Sequence, residues 1–225
     1  MLKREDLTEE RVEELIAEVR KQGRFDALTK EEREESRRGF LETAPDLSKG
    51  LWVFGYGSLL WNPAFLYEKD VPAKLHGYRR HYCLHLTMGR GSPKKPGIML
   101  ALDAGGSCHG HAFLISPNLI ESETTILWRR EMISGAYLPR WVQLNLNGKT
   151  VPGMTFVVNR QHSRYLPQLD EADLLKRLSQ GEGHLGSSRE YLENTVAHLE
   201  EREVKDEYLH HLLNALNKHY PAQKK

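Results

Sequence analysis

The run Leu51-Trp52-Val53-Phe54-Gly55-Tyr56-Gly57-Ser58-Leu59-Leu60-Trp61 opens with four apolar residues and then meets two glycines in three positions. An apolar run this short, ended by glycine, predicts a buried strand feeding a tight loop. Glycines at 55 and 57 permit backbone conformations closed to other residues and leave N–H groups uncovered. Consecutive N–H groups after a strand form a concavity suited to a carboxylate or a phosphate. The segment has neither the Gly-Lys-Ser/Thr ending of a P-loop nor Gly-x-Gly-x-x-Gly spacing, so nucleotide binding has little support. An ordinary strand-to-loop turn is the plain alternative.

Downstream, the strand pattern continues. Residues 78–88 alternate, with Tyr78, Tyr82, Leu84, Leu86 and Met88 on one parity. Ile98–Leu102 and Cys108–Ile115 are predicted as two strands parted by a turn at Asp103-Ala104-Gly105-Gly106. Trp141–Leu146 and Val151–Val158 flank Asn147-Gly148, a strong hairpin signal. Strands without regularly interleaved helices predict a small, mostly antiparallel barrel or sheet rather than a doubly wound parallel one. One helix interrupts them, with Ser116 as N-cap and Pro117 at its first position. Leu119, Ile120, Ile126 and Leu127 give it an apolar stripe up to Trp128, Glu131 lies near its end, and Gly135 stops it. Residues 168–180, 187–203 and 206–219 predict three closing helices, so the fold class is α+β.

Upstream, residues 1–48 predict a charged helical extension that packs on a core at 49–225. Leu7, Val12, Leu15, Ile16 and Val19 share one helical face. Thr29 followed by Glu32 predicts a capping box opening a second helix toward Phe40. Pro45 and Gly50 punctuate the linker.

Of the 225 residues, 32 are Lys or Arg and 31 are Asp or Glu. That balance argues against a generic nucleic-acid binder. No apolar run nears the roughly 20 residues that span a bilayer, and the N-terminus carries no apolar signal core, so no membrane association and a cytoplasmic location are expected. Two cysteines, Cys83 and Cys108, build no disulfide framework. The distribution of charge says more. Residues 1–43 carry 10 basic and 13 acidic side chains, whereas residues 51–160 carry 12 basic and only six acidic ones. Those six are Glu68, Asp70, Asp103, Glu121, Glu123 and Glu131; the first two look loop-borne, and Asp103 looks turn-borne. Acid–base chemistry in the core therefore has few carboxylates to use.

Glu131 sits in Trp128-Arg129-Arg130-Glu131-Met132, at a predicted helix C-terminus. There the negative end of the dipole raises a carboxyl's pKa, as a general base and acid working near neutrality requires. A solvated Glu among arginines is the bland alternative. His81, Cys83 and His85, with Cys108, His109 and His111, have strand spacing but no zinc signature, so no metal is expected. Arg79, Arg80, Arg90, Lys94 and Lys95 form a basic group that attracts an anionic substrate or is simply a solvated rim. No Gly-x-Ser-x-Gly motif supports a hydrolytic triad.

Taken together, Val53–Pro63 and Leu127–Met132 resemble the ChaC-type γ-glutamylcyclotransferases. Gly77-Tyr78-Arg79-Arg80, Gly89-Arg90-Gly91, Gly110-His111-Ala112-Phe113, Gly135-Ala136-Tyr137 and Tyr191-Leu192 support the resemblance in order along the chain. It implies a cofactor-free enzyme that cleaves glutathione to 5-oxoproline and Cys-Gly in a small mixed β-barrel flanked by helices. By the same resemblance Glu131 is the catalytic acid and base. Tyr56, Gly57, Ser58 and Leu59 bind the γ-glutamyl group, bordered by Gly55 and Leu60. Tyr137, Tyr191 and Arg90 are further substrate-binding candidates. Ile98 stands where the family commonly has Arg. The alternatives are a cyclotransferase for another γ-glutamyl amide and a non-catalytic γ-glutamyl-binding regulator linked to cation transport. No oligomeric state is implied.

Overall fold

The computed structural model describes residues 3–22 and 27–221. The chain forms two compact units, one from residues 1–79 and 102–162, the other from 80–101 and 163–225. The first unit opens with a 3-10 turn (Arg4–Leu7), α1 (Glu9–Gln22) and α2 (Lys30–Glu42). The capping box is made: Thr29 Oγ1 accepts the Glu32 N–H at 3.1 Å, and Glu32 Oε2 accepts the Thr29 N–H at 2.7 Å. Leu7, Val12 and Ile16 are buried against Ile126 and Ile133. The Val19 side chain lies outside the described residues. The charged face of α2 is not wholly solvated, because Arg33 and Arg37 are buried.

β1 (Leu51–Gly55), β2 (Lys69–Leu86), β3 (Gly97–Ile115), β4 (Tyr137–Leu146) and β5 (Lys149–Val158) close a barrel in the order β1-β3-β2-β4-β5. β1 pairs with β3, β2 with β4, and β4 with β5, all antiparallel. β1 meets β5 in parallel at Val53↔Met154. Of the barrel and sheet that the strand pattern leaves open, the structure is the barrel, and its one parallel contact makes it mixed, as the resemblance implies. Asn147-Gly148 turns β4 into β5, which stay in register from Leu146↔Lys149 to Tyr137↔Val158.

Three local expectations fail. The two strands expected at 98–102 and 108–115 are one continuous strand, β3. Gly105 (φ 103°) and Gly106 (φ 72°) absorb a kink without reversing the chain, so Asp103 lies in a strand and not a turn. Asp70 is likewise in β2, not in a loop. Ser116 does not cap the helix with its side chain: its hydroxyl donates to Glu68 Oε1 at 2.5 Å. Pro117–Leu119 form a 3-10 turn, after which α3 runs from Ile120 to Glu131.

β1 is buried on both faces, and its alternation splits the core of this unit in two. Phe54, Leu75, Leu102, Ala112, Leu144 and Val157 draw on all five strands and fill the barrel. Leu51 and Val53 face the other way, joining Leu127, Trp128, Met132 and Phe156 between barrel and α3.

The second unit holds the C-terminal part of β2, the N-terminal part of β3, α4 (Glu171–Gln180), a short hairpin of β6 (Glu182–Gly183) and β7 (Gly186–Ser187), α5 (Ser188–Glu201) and α6 (Glu207–His219). The side chains of Asp170, Ser187 and Asp206 cap these three helices, within a few residues of the predicted starts. Asp206 also holds the buried Arg80 at 2.7 Å. Among the described residues no helix is long and apolar enough to cross a membrane.

Candidate active site

Glu131 is the last residue of α3, and the same turn supplies Arg130. Leu127 and Trp128 fix the buried stripe of the helix. Glu131 stands four and three residues beyond them, so helical spacing carries it to the same face. Its side chain is 17% exposed, which removes the solvated alternative. Burial pushes the carboxyl above its ordinary range, and the charge and hydrogen bond of Arg130 offset that only in part.

Arg130 joins the carboxylate to the glycine loop. Its Nε donates to Glu131 Oε1 at 3.0 Å, and its Nη2 donates to Ser58 Oγ at 2.9 Å. Its Nη1 donates to the Asn62 carbonyl. The loop itself is a 3-10 turn over Ser58–Leu60, closed by Leu60 N–H to the Gly57 carbonyl at 2.9 Å and Asn62 N–H to the Ser58 carbonyl at 3.0 Å. Tyr56, Leu59 and Leu60 are buried. What the turn presents is therefore backbone and Ser58, with opening amides that have no partner inside the turn. The seat of the turn leaves no room for side chains. A Cβ at Gly55 would lie 2.9 Å from the Phe113 ring, and one at Gly110 would lie 2.3 Å from the Gly55 carbonyl oxygen.

Each of the six core carboxylates has a partner. Glu68 accepts from Ser116, Asp70 lies 2.5 Å from His111 Nδ1, Asp103 accepts from Arg160 and Glu121 from Arg37. Glu123, fully buried, is the instructive contrast to Glu131. Burial pushes it up too, but hydrogen bonds from Arg4, the Leu66 N–H and Ser122 more than offset that, and its pKa is lowered. Two buried carboxylates eight residues apart on one helix are thus driven in opposite directions by the number of donors each receives.

Arg130 is not among the residues that the sequence singles out for the site; its place three residues after Leu127, on the buried stripe of the helix, was the available signal. Tyr137 begins β4 and packs on the cluster beneath α3. Arg90 and Tyr191 belong to the second unit, where the Arg90 guanidinium lies 5.6 Å from the Tyr191 ring centroid and also holds Glu190 and the Ser187 carbonyl at 3.0 Å. Within the basic group, Arg80 and Arg90 are buried in ion pairs rather than forming a solvated rim. Ile98 is buried, its N–H donating to Ser188 Oγ at 3.2 Å. Among the described residues no cluster of three or more His, Cys, Asp or Glu side chains is placed to hold a metal.

The profile of the ChaC family, described as ChaC-like protein, matches residues 51–219. A glutathione-specific gamma-glutamylcyclotransferase of Escherichia coli K12 is 38% identical over 189 residues, covering 84% of this chain and 81% of its own. The human glutathione-specific gamma-glutamylcyclotransferase 1 is 29% identical over 149 residues, covering 64% and 67%. The crystal structure of the yeast cyclotransferase specific to glutathione superposes with a TM-score of 0.69 at 22% identity, covering 76% of this chain and 96% of that one, and so shares the fold.

Proposed function

The chain belongs to the ChaC-like protein family, and we propose that it is a γ-glutamylcyclotransferase that converts glutathione to 5-oxoproline and Cys-Gly. The observation that carries the reading is one guanidinium, Arg130, joining a buried carboxylate of raised pKa to a glycine-seated turn.

The reaction needs no protein nucleophile. The α-amine of the γ-glutamyl group attacks its own γ-carbonyl carbon, a C–N bond forms, and a five-membered ring closes. Tethering of this kind is worth an effective molarity of roughly 10⁵ M or more. The tetrahedral intermediate then breaks the bond to the cysteinyl nitrogen. Proton management remains: the α-nitrogen gives up one proton before it attacks and a second as the lactam forms, while the departing nitrogen gains one as its bond breaks and a second as the free ammonium. Glu131 does both in sequence, as carboxylate and then as acid, and burial brings its pKa toward the range where both forms are accessible. Arg130 keeps the carboxylate aimed and fixes the turn beside it. Gly55, Tyr56, Gly57, Ser58, Leu59 and Leu60 form the γ-glutamyl seat, whose backbone amides face the substrate carboxylate or the developing oxyanion. Tyr137, Tyr191 and Arg90 are proposed as substrate-binding residues on the family resemblance.

The test is 5-oxoproline release from glutathione and from γ-glutamyl amino acids, by wild type and Glu131→Gln. Glutathione is the expected substrate, and the variant should keep the fold while losing about 10²–10⁴-fold in turnover, the usual contribution of a positioned acid–base. No product from any γ-glutamyl donor rejects the enzyme reading; an active Gln variant rejects the assignment of Glu131.

A further inference from the structure

We propose that the N-terminal extension is a positioning element for Glu131, acting through the Glu9–Arg129 bridge and the main-chain bond from Leu28 to Ile133. The inference rests on the reading of Glu131 as the acid and base. A residue at the end of a helix is held least by the helix itself, since the last turn frays and its carbonyls lack intrahelical partners. Besides the bonds of Arg130 to the glycine turn and of His162 and Asn159 to the carbonyls of Ser134 and Gly135, the extension holds this end of α3 on both sides of Glu131. Two residues before it, Arg129 Nε donates to Glu9 Oε2 at 3.0 Å and its Nη1 to the Leu7 carbonyl at 3.2 Å. Two residues after it, the Ile133 carbonyl accepts the Leu28 N–H at 2.9 Å.

Glu9 is the centre of this arrangement. Its other oxygen accepts from the buried Arg33 of α2 at 2.6 Å, so one carboxylate ties α1, α2 and the last turn of α3 together. One turn earlier, Trp128 Nε1 donates to Ser36 Oγ at 3.2 Å. The tandem arginines thus divide the work: Arg129 reaches back to the extension, and Arg130 reaches forward to the glycine turn. Among the described residues the charged groups around this turn are Arg130, on the carboxylate itself, and Arg129, Glu9 and Arg33 behind it. All the extension's contacts originate outside residues 51–219, the span shared with the family.

The control is built in, because Glu13 also binds Arg33, at 2.7 Å, but makes no bond to Arg129. Glu9→Ala and Glu13→Ala both loosen the extension, whereas only Glu9→Ala releases α3. The proposal expects Glu9→Ala to lower kcat about tenfold with KM unchanged, within the hundredfold that a 1 Å misplacement can bring. It also expects the Glu131 carboxyl, followed by carbon NMR, to titrate at a displaced pH in Glu9→Ala and at the wild-type pH in Glu13→Ala. Equal effects of the two variants on Tm, with the Glu131 titration unmoved in both, overturn the proposal. If wild type forms no 5-oxoproline, the cyclotransferase reading fails, and the titration alone decides the positioning role.

Discussion

Replacing Arg130 with Met keeps much of the side-chain volume and removes the charge from a pocket in which Arg130 is 8% and Glu131 17% exposed. At about pH 7.5 this leaves a buried carboxylate without its counter-charge, a loss of about 3–5 kcal/mol. For a chain of this length that is a fall in Tm of about 6–20 °C, at about 2–4 °C per kcal/mol. At about pH 4 the picture changes. A carboxyl whose native pKa lies above its unfolded value binds more protons in the native state between the two, so stability falls as pH rises through that window. Wild type already has this sign at Glu131. In Arg130→Met the native value climbs further, the window widens upward, and the variant loses more than wild type on going from acid to neutral. Below the window the carboxyl is protonated in both states, and the loss is that of the donor to Ser58, Asn62 and the neutral Glu131 carboxyl, about 2–3 kcal/mol with no unpaired charge. Differential scanning calorimetry of both proteins at the two pH values reads the difference directly. A Tm gap as large at pH 4 as at pH 7.5 would refute the coupling of Glu131 to Arg130.

Three other outcomes follow from the geometry. Gly110→Ala places a methyl 2.3 Å from the Gly55 carbonyl oxygen and 2.9 Å from the Phe54 ring, and should lower stability by about 1–3 kcal/mol in urea unfolding while reducing turnover; unchanged stability would contradict the close approach. Glu123→Gln should flatten the loss of Tm between about pH 6 and about pH 3, because a lowered native pKa gives stability that is present above the unfolded value and disappears as pH falls through the native one; parallel pH profiles would contradict this. Tyr82→Phe should leave Tm unchanged or raise it, since the Tyr82 hydroxyl is buried without a hydrogen-bond partner among the described residues; a fall of more than about 3 °C, roughly 1 kcal/mol, would mean that the hydroxyl contributes.

How much of this was legible in the sequence depended on how local the signal was. The Asn147-Gly148 hairpin, the Thr29/Glu32 capping box and the C-terminal helices are set by neighbours within a few residues, and each appears where the pattern put it. The continuity of β3 was not legible, because Gly-Gly reads as a turn unless a barrel's curvature claims the kink. Ser116 has the chemistry of a cap, yet Glu68, 48 residues away in sequence, takes its hydroxyl. The site shows the same division. Glu131 and the glycine turn stood out as candidates in the sequence, and the resemblance to the ChaC-type cyclotransferases is what implied their roles. Arg130 did not, since a charged residue beside another charged residue looks solvated until the acceptors from residues 58 and 62 are brought to it. Arg33 and Arg37 were hidden in the same way, buried by carboxylates far along the chain or one turn away.

The strand order of the barrel also has a consequence for how the chain is made. β1 is synthesised early but is enclosed by β3 and β5, and the Phe54 carbonyl accepts the hydroxyl of Thr155, 101 residues later. At about 5–20 residues per second, Leu51–Gly55 waits roughly 5–20 s on the ribosome for that neighbour. An unpaired apolar strand is at its most adhesive during such a delay. The segment that emerges just ahead of it has 23 charged residues in its first 43 positions, and flanking charge of that density keeps a waiting strand in solution. The charge of the extension thus bears on solubility before the barrel exists.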